Sequence, residues 1–98
     1  MNPKKKKDKY WVVIRINAFL GNIFMMSKKR LTREQIEELY SINFSINLND
    51  YGFPFEEHGH IISEVFSTTS KQKAEEMLKY AEEHNELPLP FAIEEEQE

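Results

Sequence analysis

From Tyr10 to Asn17 the chain alternates, with Val12, Ile14 and Ile16 on one side and Trp11, Val13, Arg15 and Asn17 on the other. A period of two over a β-branched run is the pattern of a strand that turns one face to a core. A sheet, not a helical bundle, must therefore organise this chain. A second alternation sets Phe44, Ile46 and Leu48 against Asn43, Ser45, Asn47 and Asn49, which predicts a half-buried strand over Asn43–Asn49 with a polar outer face. A third strand is expected over His60–Ser67. Glu64 should avoid the core there, which would put Ile62 and Phe66 on its outer face and turn Ile61 and Val65 inward. Between the first strand and the first helix, Gly21-Asn22 is a hairpin-turn signal. Residues 18–26 are then either a hairpin arm with Ile23–Met26 folded back or an irregular apolar loop.

Two helices are marked by their ends. Thr32 followed three residues later by Gln35 is a capping box, and Leu31 and Ile36 stand at hydrophobic-staple spacing around it. Ile36, Leu39 and Tyr40 form the expected buried stripe of a short helix ending near Ser41. The second helix spans Lys71–His84, capped by Thr69 or Ser70, with a stripe of Ala74, Met77, Leu78 and Ala81. Asn85 suits its C-terminal cap, and Pro88 blocks continuation. Phe91–Glu94 reads as a last edge strand, where flanking prolines are tolerated. The element order β-α-β-β-α-β is that of an α+β, ferredoxin-like split arrangement. It predicts an antiparallel sheet with both helices on one face and the other face open. In it the first and third strands are central neighbours, which brings Arg15 opposite Glu64.

The 98 residues amount to one domain, placed at residues 10–94. Lys4, Lys5, Lys6, Lys7 and Lys9 make residues 1–9 a basic tail, and residues 95–98 an acidic one. The apolar stretch that follows the lysines is interrupted by Arg15, Asn17 and Asn22, which argues against a signal peptide or a membrane span. With no cysteine, disulfides, thiolate chemistry and cysteine-based zinc sites are excluded. Small secreted domains lean on disulfides, so this absence favours the cytoplasm. A net charge of −4 is too mild to define a partner.

No phosphate-cradling glycine loop, serine elbow or nucleotide fingerprint occurs, and nothing calls for a cofactor. Glu56-Glu57-His58-Gly59-His60 is the one run with metal-ligand chemistry. Two histidines fall short of the three protein ligands a catalytic zinc site needs unless His84 joins them, and a solvated loop is the simpler reading. Tyr51-Gly52-Phe53-Pro54-Phe55 is dense in aromatics. These residues either fold over one end of the core or stand out as partner anchors. On the open sheet face, which would also present Val13 and Arg15, Trp11 and Phe66 would form an aromatic spot in a polar surround. The chain is thus expected to be a non-enzymatic protein-binding module of the inhibitor, adaptor or immunity type, working through Trp11, Val13, Arg15, Phe53, Phe55 and Phe66. The alternative is a single-stranded nucleic-acid binder that stacks bases on Trp11 and Phe66 beside Arg15 and follows the backbone with Lys4–Lys7. Against it, the third strand lacks the RNA-recognition fingerprint and carries Glu64, which would repel phosphate. A homodimer through the open face or an edge strand is compatible with either reading.

Overall fold

The computed structural model describes residues 9–18, 21–41, 47–54, 61–87 and 91–94. Strand β1 (Lys9–Ala18) turns back into β2 (Gly21–Met26), and the two pair antiparallel from Val13↔Met26 to Ala18↔Gly21. The hairpin expectation is therefore the one realised, with its strand beginning earlier than expected. Gly21 belongs to β2, and its φ of 136° is a conformation that favours glycine. A two-residue strand β3 (Leu31–Thr32) pairs with the start of β1 at Tyr10 and Lys9. It leads directly into helix α1 (Arg33–Tyr40).

The α1 start is built as its sequence dictates. Gln35 N–H donates to Thr32 Oγ1 at 3.2 Å, and Thr32 N–H donates to Gln35 Oε1 at 2.9 Å. Leu31 and Ile36 on either side of the cap are both fully buried. Tyr40 lies outside the buried stripe, at 37% exposure, leaving Ile36 and Leu39 as the residues that anchor the helix.

Residues 42–46, in which most of the second expected strand falls, lie outside the described residues. Its end is not a strand: Leu48–Tyr51 form one turn of 3-10 helix. The Asn47 side chain accepts the Asn49 N–H at 2.9 Å, a local bond that competes with a sheet ladder. Gly52 closes the turn at φ 87°, where an added Cβ would come within 2.9 Å of Lys29 Cγ. Its carbonyl accepts from Lys28 N–H at 2.8 Å, which ties this turn to the segment between β2 and β3.

Strand β4 (Ile61–Thr68) lies antiparallel to β1, helix α2 (Lys71–His84) follows, and β5 (Phe91–Glu94) returns parallel to β4. The open sheet runs β2-β1-β4-β5. This corrects the ferredoxin-like expectation. There the last strand would flank β1; here β2 holds that place, and β5 sits on the far side of β4. The hairpin supplies a neighbour for β1 locally, and a parallel neighbour for β4 needs only the α2 crossover.

The helices also divide differently from expectation. Val12, Ile14, Ile16, Met25 and Val65 form one apolar layer with Ile36 and Leu39 of α1, and with Leu48 and Phe53. Val13 and Phe66 form a second layer with Ala74 and Ala81 of α2, joined by Trp11, Phe24, Met26, Met77 and Leu78. The two helices thus cover opposite faces, and the face expected to be open lies under α2. Alanines at the centre of the α2 stripe leave no side chain to hold helix and sheet apart.

The placement of Ile62 is a further correction. The β1–β4 register shifts between Arg15 and Ile16, so that Arg15 pairs with Glu64 and Ile16 with Ile62, leaving Ser63 as the extra residue. A bulge moves one residue out of alternation. Ile62 consequently packs with the α1 layer and not beside Glu64 and Phe66.

Because Phe66 is 3% exposed beneath α2, Phe66→Ala should cost about 3–5 kcal/mol in urea unfolding, the usual loss for a buried aromatic. On a bare face the same change would stay within about 0.5 kcal/mol.

Candidate interaction surface

Of the residues expected to contact a partner, the fold buries three. Val13 (0% exposed) and Phe66 lie under α2, and Phe53 (1% exposed) closes one end of the α1 layer. Between the two readings of the aromatic loop, Phe53 takes the core one. Trp11 is half-buried, with Lys71 Nζ 5.3 Å from its ring centroid. A stack of bases on Trp11 and Phe66 would require α2 to leave the sheet. Phe55, Lys4–Lys7, Glu56, Glu57, His58 and His60 lie outside the described residues. Among the described residues no group of three or more His, Cys, Asp or Glu side chains is placed to hold a metal ion. His84 instead packs its ring on Tyr80.

Arg15 and Glu64 meet as the strand pairing requires. Arg15 Nε stands 3.6 Å from Glu64 Oε1 and donates to Ser63 Oγ at 2.7 Å. Ser63 Oγ lies 3.3 Å from Asn17 Oδ1. Glu64 Oε1 also accepts the Leu87 N–H at 2.9 Å. The carboxylate therefore fastens the segment after α2 to the bulge in β4, beside the buried Leu87 side chain. Asn85 in the left-handed region ends α2 just before, its N–H donating to Ala81 O at 2.7 Å. Each member of this cluster makes a structural bond, and together they clamp the segment after α2 to the sheet.

Two surface grooves formed by the described residues bear on binding. One is acidic, about 520 Å³, lined by Glu34, Gln35, Glu37, Glu38 and Ser41 along α1. Tyr51 donates its hydroxyl to Glu38 Oε1 at 2.8 Å at this helix. Burial, the hydrogen bond to Glu38 and the negative charge of Glu38 and Asp50 push the Tyr51 phenol from 10.0 up to about 12.

The other groove is predominantly apolar, about 330 Å³, and lies on the outer side of α2 between Lys73, Glu76, Met77 and Tyr80. Tyr80 is 38% exposed. Its ring stacks on His84 at 4.1 Å between centroids, and the His84 Nδ1 lies 3.0 Å from the Tyr80 carbonyl oxygen. Stacking at i and i+4 fixes an aromatic side chain in place while leaving one of its sides to solvent. Periodicity assigned Met77 to the buried stripe and gave no role to Tyr80. The Tyr80/His84 spacing was the available signal that this flank of α2 is structured.

No family model, curated protein or solved structure matches this chain.

Two measurements test this geometry. In an Arg15→Met and Glu64→Gln double-mutant cycle the pair should couple by about 0.5–1 kcal/mol and weaken with salt. Glu64→Ala should cost more than Glu64→Gln, because glutamine still accepts from Leu87. In a spectrophotometric titration, a tyrosine transition near pH 12 should disappear in Tyr51→Phe. The raised phenol favours the protonated folded state, so its contribution is complete below pH 10 and is lost as the pH climbs through about 12.

Proposed function

We propose that this chain is a small, non-enzymatic protein-binding domain that receives an apolar side chain of its partner in the α2 groove. The observation that carries the reading is the groove itself: Met77 forms apolar wall, Tyr80 is a pre-set aromatic, and Lys73 and Glu76 stand at the rim. Tyrosine held by packing loses little side-chain entropy on binding and is a frequent source of interface energy. A rim bearing both charge signs favours one orientation of a partner without making the surface generally adhesive to polyanions. The inhibitor, adaptor and immunity-type roles all act by covering a partner surface and share this requirement.

The direct test is affinity capture from native lysate with the wild-type chain and with Tyr80→Glu, a change at an exposed site. A partner retained by wild type and lost by Tyr80→Glu, with the melting temperature within a few degrees, supports the reading. Equal retention by both would remove the groove from the interface. A salt-sensitive change in Trp11 fluorescence on adding single-stranded RNA would instead favour the nucleic-acid class.

A further inference from the structure

The two outer strands of the sheet differ in how they are protected. β5 ends in Glu94, and Pro88 and Pro90 precede it in the sequence. Proline and charge at an edge discourage further pairing. β2 (Gly21-Asn22-Ile23-Phe24-Met25-Met26) has neither a charge nor a proline, and among the described residues its only strand partner is β1. Among the described residues no strand lies beside its outer edge, which there presents alternate backbone N–H and C=O groups.

The side chains of β2 are apolar toward both faces of the sheet. Ile23 and Met25 belong to the α1 layer, while Phe24 and Met26 belong to the α2 layer. Ile23, Phe24 and Met26 are only half-buried. Each apolar layer of the domain thus stops at β2 with its last side chains partly in water. A partner that adds one strand here must bring apolar side chains to both faces at once.

The charges near this edge select the direction of that strand. Lys28, Lys29 and Arg30, all exposed, follow β2 directly. Were two copies to pair β2 in parallel, these basic runs would meet. Residues directly opposite in an antiparallel pair share a face, so the two-fold axis must pass through a residue; with Phe24 opposite its own equivalent, Lys28 of one copy and its equivalent are eight residues apart along the ladder. That is about 27 Å at roughly 3.4 Å per residue, well beyond the screening length of about 8 Å at physiological salt. An acidic partner is not needed to offset them, and an uncharged strand meets no like charge across its own axis.

We propose that this chain forms a two-fold symmetric homodimer by antiparallel pairing of β2 with β2 of a second copy. The sheets join into one with the order β5-β4-β1-β2-β2-β1-β4-β5, and both apolar layers run through the junction. Such an interface is isologous and closes on itself, so it yields a dimer and not a filament. The inference stands on the β2 edge and is independent of the α2 groove.

Sedimentation velocity on the full chain across a wide concentration range reads the expected mass, about 23 kDa against 11.7 kDa for one copy. Because the chain has no cysteine, single-cysteine variants cross-link only between copies. Phe24→Cys, opposite its own equivalent on the axis, should give a disulfide dimer on mild oxidation, whereas Glu37→Cys on exposed α1 should not. Phe24→Glu should shift the protein to monomer; Asn22→Lys, at the end of the strand, is a milder companion should Phe24→Glu fold poorly. A wild-type monomer at every concentration would overturn the proposal. So would cross-linking of Glu37→Cys as efficient as that of Phe24→Cys, or a dimer lost in Tyr80→Glu and kept in Phe24→Glu, which would place the contact on α2.

Discussion

β1 carries apolar side chains toward both sides of the sheet, and the rest of the structure follows from that. Val12, Ile14 and Ile16 face one way and Val13 the other, and all four are 0% exposed. A strand of this kind cannot lie at the surface of a two-layer domain. Each buried aliphatic side chain contributes about 1.5–3 kcal/mol relative to exposure, so leaving either face bare would forfeit a large part of a stability of only about 5–15 kcal/mol. The chain answers with a hairpin strand and β4 on the two sides of β1, and with a helix above and below.

The helices that provide these covers are matched to what they cover. α1 is only eight residues long. A helix of this length is marginal alone, and it is held by its capping box, the Leu31/Ile36 staple and the 3-10 turn that brings Leu48 and Phe53 beside it. α2 has 14 residues and a shallow alanine stripe, which brings it close to Val13 and Phe66. Its end is fixed by Asn85 and by the bond from Leu87 to Glu64. The bulge at Ser63 serves both sides: it lets Glu64 face Arg15 and Leu87 while Ile62 turns into the opposite layer.

With both faces covered, the surfaces proposed for partners among the described residues are the outer flank of α2 and the outer edge of β2. Neither coincides with the platform expected from the strand pattern. Side chains that looked like anchors by residue type, Phe53 and Phe66 above all, are core. Tyr80, an anchor-like residue that is at the surface, sits on a helix flank that periodicity treats as solvated. Among the described residues no helix is long and apolar enough to cross a membrane.

The local structure was largely legible in the sequence, because it is set by short-range chemistry. Both helices start at the expected caps, α2 and β5 span the expected residues, and Arg15 meets Glu64. The 3-10 turn at Leu48–Tyr51 was a local exception, where the Asn47 side chain accepts the Asn49 N–H in place of a strand continuing. What only the tertiary structure decided was the sharing of faces. Alternation states which side chains point together, but not which helix will lie over them, so one helix per face and two helices on one face read alike along the chain. The neighbour of each strand was equally open, since β5 satisfies its backbone beside either β1 or β4, and the hairpin had already taken the place next to β1. The Ser63 bulge lay beyond reach for the same reason: a one-residue slip in register is fixed by the partner strand, and the sequence of β4 alone carries no mark of it.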